Sequence, residues 1–287
     1  MQIEITPLDA ALGAKVLGID LSKKIDGEAF SAIHAAWLKY HVLIFPNQKL
    51  EDVDQVRFSR MFGQLPDKSP HSKGSKSGNQ LHQSVMLVSN IRENGEVIGS
   101  LPDGEMFFHT DGAYEKDPYR YTMLYAIEVP THGGDTLFAN MSLAFKTLPK
   151  ELKERLAVAK AEQGFYTGVD VSTDMKNALR VDGYKGSAQH PIFIRHEETG
   201  EASLYVNRLL TRRIVGYDSA ESDELLSRLF EHSERAEFVY QHKWAPDDLV
   251  AWDNRCVNHA RSDFSPGERR LLRRTTVQGL TPQAAFN

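Results

Sequence analysis

At 287 residues, with a net charge of −5 and a pI near 6.1, the chain lacks the basic excess that nucleic acid or an anionic membrane surface would require. Its 41% hydrophobic content is ample for a large core, and its one cysteine, Cys256, excludes an internal disulfide. The opening MQIEITPLDA has neither the charged nor the apolar region of a secretory signal, and no apolar run approaches the ~18 residues of a membrane span, so a soluble cytoplasmic chain is expected.

The first hundred residues read as a scaffold of strands and helices. Ile3 to Ile5 and Val16 to Leu21 have strand character. Asp26 is placed to N-cap a helix in which Phe30, Ile33, Trp37 and Tyr40 recur at three and four residues. Val42-Leu43-Ile44-Phe45, stopped by Pro46, predicts a central strand buried on both faces. A second helix is expected from about Glu51 to Phe62, ending at Gly63, with His34 and His41 read as structural histidines. Pro66 to Gly78 (PDKSPHSKGSKSG) then turns polar and reads as a mobile loop. It is either a solvated connection or a lid whose Lys68, His71, Lys73 and Lys76 approach an anionic substrate. Val85 to Asn90 returns to strand, and a Gly-rich stretch from Asn94 to Gly104 leads into Phe107-Phe108-His109-Thr110-Asp111-Gly112.

That last stretch carries chemistry. Residues two apart in an extended segment point the same way, so His109 and Asp111 can reach one ion together. An imidazole and a carboxylate so placed supply two of the three ligands of a 2-His-1-carboxylate iron site. His-x-Asp/Glu occurs three times, at His109/Asp111, His196/Glu198 and His232/Glu234, so the spacing alone does not choose among them.

Further on the pattern is mostly β. Tyr119 to Val129 reads as a strand, and Thr131 to Phe138 as a glycine turn feeding another. Helices are expected over Ser142 to Leu148 and Lys150 to Lys160. Gln163 to Gln189, without a period, reads as an insertion, and Pro191 to Arg195 with Ala202 to Asn207 as a hairpin. This puts His196/Glu198 on a solvated turn. A helix over Ser219 to His232 leaves His232/Glu234 fraying from its end. Glu237 to Lys243, Leu249 to Asp253 and Arg273 to Gly279 read as strands. In an extended Arg270 to Arg274, both end arginines share a face, opposite Arg269 and Arg273. Arginine on a strand suits bidentate recognition of a carboxylate, against the plainer reading of a solvated basic face.

With His109-x-Asp111, Gly133-Gly134-Asp135-Thr136, Trp252-Asp253-Asn254-Arg255, His259, Arg270 and Arg274 in this order, the sequence resembles the taurine dioxygenase/TfdA family of Fe(II)- and 2-oxoglutarate-dependent dioxygenases. The resemblance implies a mainly β fold with flanking helices, a distorted double-stranded β-helix of the cupin-like jelly-roll kind. It implies one catalytic domain over 1–287, with active-site loops near 66–104 and 163–189. His109, Asp111 and His259 then stand where the family binds iron. Thr136 and Arg270 match the residues on the distal carboxylate of 2-oxoglutarate. Arg274 matches a second arginine near substrate or the cosubstrate's other carboxylate.

The implied reaction decarboxylates 2-oxoglutarate to succinate and CO₂, consuming O₂ and hydroxylating a substrate C–H. A carboxylate at Asp111 argues against halogenation, which needs that position vacant for halide. Taurine-binding members have asparagine where this chain has Glu105, and for their sulfonate-binding histidine only Lys68 or His71 lies near. The expected substrate is therefore another small organic anion, such as a carboxylate, sulfonate or sulfate ester, handled by a homo-oligomer. Two rival classes are a zinc hydrolase with the same three ligands and a non-catalytic, ligand-sensing jelly-roll.

Overall fold

Val42-Leu43-Ile44-Phe45 is apolar throughout, and the fold buries both of its faces. In the computed structural model, which describes residues 3–67, 81–99, 106–166 and 184–286, this strand lies inside a seven-stranded sheet. It runs parallel to Ala14–Leu17 and antiparallel to Leu249–Asp253. Tyr121–Glu128, Leu271–Val277 and Met86–Ser89 continue the sheet on one side, and Glu4–Pro7 closes the other.

Side-chain alternation sorts this sheet into two cores. Leu43 and Phe45 join Met123, Tyr125, Leu249 and Ala251 on one face. Val42 and Ile44 join Leu124, Ala126, Val250 and Trp252 on the other. The helix Gly27–Tyr40 covers the first face through Ile33, Ala36 and Trp37. It starts where the Asp26 carboxylate accepts from the Ala29 amide at 2.8 Å. It stops at His41, whose left-handed backbone (φ 64°) turns its N–H onto the Trp37 carbonyl.

The second face meets a four-stranded sheet, ordered Val239–His242, Thr136–Asn140, Val257–Arg261 and Met106–His109. Phe138 and Val257 of this smaller sheet share the second core with Leu124 and Trp252 of the larger. A third core forms under the helix Ser219–Ser233, where Leu225, Leu226 and Leu229 pack with Ala161, Phe193 and Ile214. The architecture is mainly β with helices on its outside, and no helix among the described residues is long and apolar enough to cross a membrane.

Several expectations need correction. Val16 to Leu21 is not one strand: Gly18, at φ 73°, ends the pairing at Leu17, and the Leu21 N–H turns to the Gln48 side chain. The helix from Lys150 ends at Leu156, and Lys160 already opens a strand. That strand, Lys160–Tyr166, pairs antiparallel with Tyr184–Pro191, so both flanks of the expected insertion 163–189 are sheet. Residues 167–183 fall outside the described segments, as do residues 68–78 of the loop expected from Pro66 to Gly78. Val257–Arg261 has no strand signature in the sequence, yet it is central to the smaller sheet. Within the Gly-rich stretch, Asn94 and Gly95 (φ 52° and 82°) make the two-residue turn of a small hairpin, Arg92–Glu93 with Glu96–Val97.

Candidate active site

The Met106–His109 strand ends as it reaches the gap between the two sheets, and Asp111 follows in a turn. Gly112 makes that turn possible at φ 71°, where any Cβ would sit 3.0 Å from the Tyr119 ring. Across the smaller sheet His259 pairs in register with His109, and their ring centroids are 4.0 Å apart. The His109 Nε2 lies 4.0 Å from Asp111 Oδ1, and the His259 Nε2 lies 3.9 Å from Oδ2. Ligand atoms of the three residues all fall within 4.8 Å of one another, and all three residues are buried. The His109 Nδ1 donates to the Phe107 carbonyl at 2.9 Å, which leaves the Nε2 lone pair for an ion.

The larger sheet completes the surroundings. Thr122 and Arg274 sit on the face of that sheet which carries Leu124 and Leu272. The Thr122 hydroxyl donates to Asp111 Oδ2 at 2.7 Å, and Arg274 Nη1 donates to Oδ1 at 3.0 Å. Burial alone would raise the Asp111 carboxyl, but Arg274, then His259 and His109, hold it well below the usual range. Burial lowers both imidazoles, His259 far below its ordinary value with the His109 ring adding to the effect. The cluster is thus one anion and two neutral rings, the state in which such a set binds a divalent metal.

Beside it lies buried positive charge, carried by Arg261 and Arg270. Arg270 is 1% exposed, its Nε donates to the Gly134 carbonyl, and its Nη1 has no hydrogen-bond partner among the described residues. Burial first, and then the charge of Arg261, pull its guanidinium down to about 9. Gly133 and Gly134 both have positive φ, and a Cβ on Gly134 would meet the Arg270 stem at 3.4 Å. Thr136, two residues past Gly134, is buried, with its hydroxyl oxygen accepting from Trp244 Nε1 at 3.0 Å. Its own proton is left to donate to an acceptor.

The four arginines divide as their alternation suggests. Arg269 pairs outward with Glu128, and Arg273 turns to the Leu50 carbonyl on the opposite face, while Arg270 and Arg274 enter the gap. Lys68, His71 and Glu105 lie outside the described residues.

The two other His-x-Glu pairs are not where the sequence put them. His196 is buried rather than solvated, and its Nδ1 accepts from the Glu198 and Thr199 amides while its Nε2 faces Asp253 at 3.0 Å. Asp253 also takes three hydrogen bonds from Arg255, two from the guanidinium and one from the backbone amide, so the carboxylate of this second group of ligand-type side chains, which includes Cys256, is committed to ion pairing. Glu198 is held by Arg120, Arg255 and Tyr121. His232 does not fray: its Nε2 caps the Ala144 carbonyl, and Glu234 pairs with Arg208. Sequence reasoning also missed Arg261, Thr122 and Trp244. Arg261 carried a readable signal, because two residues past His259 on a strand it shares that residue's face and stands opposite Thr136.

Comparison with known proteins agrees with this geometry. A model of the "Taurine catabolism dioxygenase TauD, TfdA family" matches residues 4–276. Pentalenolactone F synthase of Streptomyces avermitilis is 34% identical over 283 residues, covering 93% of this chain and 91% of its own. The (S)-phenoxypropionate/alpha-ketoglutarate-dioxygenase of Sphingobium herbicidovorans is 31% identical, covering 96% of this chain and 95% of its own. The crystal structure of AAD-2 in complex with Mn(II) and N-oxalylglycine is similar at a TM-score of 0.79 and 28% identity, covering 99% of this chain and 100% of that one.

Proposed function

This chain belongs to the taurine catabolism dioxygenase TauD, TfdA family, and from that premise we propose that His109, Asp111 and His259 hold Fe(II) for reaction with 2-oxoglutarate and O₂. The chain is a 2-oxoglutarate-dependent dioxygenase acting on a small organic substrate. When bound, the iron centre supplies the oxidation in which 2-oxoglutarate becomes succinate and CO₂ and one oxygen atom enters a substrate C–H bond. A carbon that bears a heteroatom then releases it, leaving an aldehyde or ketone.

The chain's own residues bind and orient. His109 and His259 present neutral nitrogens, and Asp111 an ionised oxygen, from a strand pair and a turn. Arg270 and Thr136 take the distal carboxylate of 2-oxoglutarate, which also offsets the repulsion between Arg270 and Arg261. Arg274, half-buried, offers its guanidinium to the substrate's anionic group or the cosubstrate's other carboxylate. An anionic substrate fits that arginine and the phenoxypropionate in one relative's name. The two facing sheets suit a distorted double-stranded β-helix, and the span of the family model suits one catalytic domain over 1–287.

One observation carries the reading: a buried cluster of two imidazoles and a carboxylate shares a gap with a buried guanidinium whose Nη1 has no partner among the described residues. A zinc hydrolase would give Arg270 and Thr136 nothing to hold. The test is succinate formation from 2-oxoglutarate and Fe(II) across a panel of small carboxylates, sulfonates and sulfate esters. Turnover with Zn(II) in place of Fe(II), or none dependent on 2-oxoglutarate, would overturn it.

A further inference from the structure

Trp252-Asp253-Asn254-Arg255 borders the metal cluster without supplying a ligand to it. Two of its side chains nevertheless reach the cluster through a third. The Trp252 Nε1 donates to Asn254 Oδ1 at 2.9 Å, and Asn254 Nδ2 donates to Thr122 Oγ1 at 2.9 Å. Thr122 Oγ1 in turn donates to Asp111 Oδ2 at 2.7 Å. Chemistry fixes the direction of every link. An indole nitrogen only donates, so the amide oxygen of Asn254 must face it and the amide nitrogen must face Thr122. That nitrogen also only donates, so the single proton of Thr122 is driven onto the carboxylate. All four residues are buried, which leaves water little part in satisfying them.

We infer that Thr122, oriented by Asn254 and Trp252, is the positioning residue that fixes the carboxylate of Asp111 for the metal. A carboxylate turns readily about its last torsion, and the donor on Oδ1, Arg274, stands at the end of a long, half-buried side chain. A donor built into a strand and aimed at Oδ2 sets the plane of the group whatever Arg274 does. Hydrogen-bond partners of this kind typically contribute about 10–100-fold to metal affinity.

This inference rests on the metal reading above, and the experiment separates the two. Co(II) is titrated anaerobically into metal-free protein, with affinity read by calorimetry and ligand geometry by the visible absorption of the bound ion. Thr122→Val, equal in shape, is expected to bind Co(II) about 10–100-fold more weakly and to change the spectrum, while the metal-free protein still unfolds cooperatively. Thr122→Ser, which keeps the hydroxyl, is expected to restore both. Asn254→Asp removes the donor behind Thr122 and is expected to move the spectrum in the direction of Thr122→Val. Wild-type protein that binds no Co(II) overturns the metal reading and this one with it. Wild-type binding matched by Thr122→Val in affinity and spectrum overturns this one alone. So does a loss in Thr122→Val that Thr122→Ser fails to restore.

Discussion

Arg270 and Arg274 lie two periods of alternation apart and meet different partners, a carbonyl at Gly134 and a carboxylate at Asp111. Removing one member of a buried charge pair costs about 3–5 kcal/mol, a factor of about a hundred or more. Arg270→Leu should therefore raise the apparent KM for 2-oxoglutarate by at least about two orders of magnitude and weaken decarboxylation even without substrate. Arg274→Leu should act chiefly on the substrate's KM and raise the ratio of succinate to hydroxylated product. If it alters only the 2-oxoglutarate constant, the second carboxylate of the cosubstrate is its ligand and the substrate need not be an anion. Asp111→Ala should leave a folded protein that neither retains Fe(II) nor couples turnover; wild-type activity with added Fe(II) would refute the ligand assignment. These residues were legible because their chemistry demands particular types at particular offsets. Thr122 was not, since a threonine inside a run of strand formers looks like any other β-branched residue.

Elements were legible where a local rule acted alone. The apolar run Val42–Phe45 and the Asp26 cap each announced themselves within a few residues. Strands that carry polar residues inward did not. Lys160–Tyr166 buries Glu162 and Gln163, satisfied by Arg213 and Thr211 of a neighbouring strand that no local pattern reveals. Val257–Arg261 hides its alternation because His259 and Arg261 serve the gap between the sheets while Asn258, on the other face, is buried against Thr110 and the Val206 carbonyl. The turn at Gly133 offers a test of how tightly these elements are joined. Gly133 and Gly200 share nearly the same φ, 74° and 73°, but an added Cβ would lie 2.3 Å from the Asp263 carbonyl oxygen at the first and near nothing at the second. Gly200→Ala should cost only the left-handed strain, about 1–2 kcal/mol. Gly133→Ala should cost clearly more in urea unfolding, because backbone must move, and should also raise the KM for 2-oxoglutarate through Arg270. Equal costs at the two positions would mean the turn yields freely.

On the scale of the whole molecule, burial works against charging histidines both between the facing sheets and outside them. Burial lowers the pKa of His41, His109, His190 and His259, in each case as the leading cause. In the unfolded chain these rings protonate near their ordinary value of 6.5. Below that pH the unfolded state binds protons that the folded state refuses, so stability must fall as pH falls, by up to about 1.4 kcal/mol per pH unit for each ring. The buried carboxylates act in a separate window. Asp111 and Asp253 are held below their ordinary value of 3.8, so their contribution is intact above it and is lost only in stronger acid. Between about pH 7 and about pH 5 the histidines therefore set the sign. The measurement is the urea midpoint of chelator-treated protein at three pH values across that range, repeated with Co(II). The metal-free midpoint should drop steadily toward acid. The Co(II)-loaded midpoint should lie higher and drop with about the same slope, because His109 and His259 stay neutral in the fold with or without the ion. A flat metal-free midpoint would mean that the rings take up protons inside the fold as readily as in the unfolded chain, and only then should the Co(II)-loaded midpoint fall more steeply than the metal-free one.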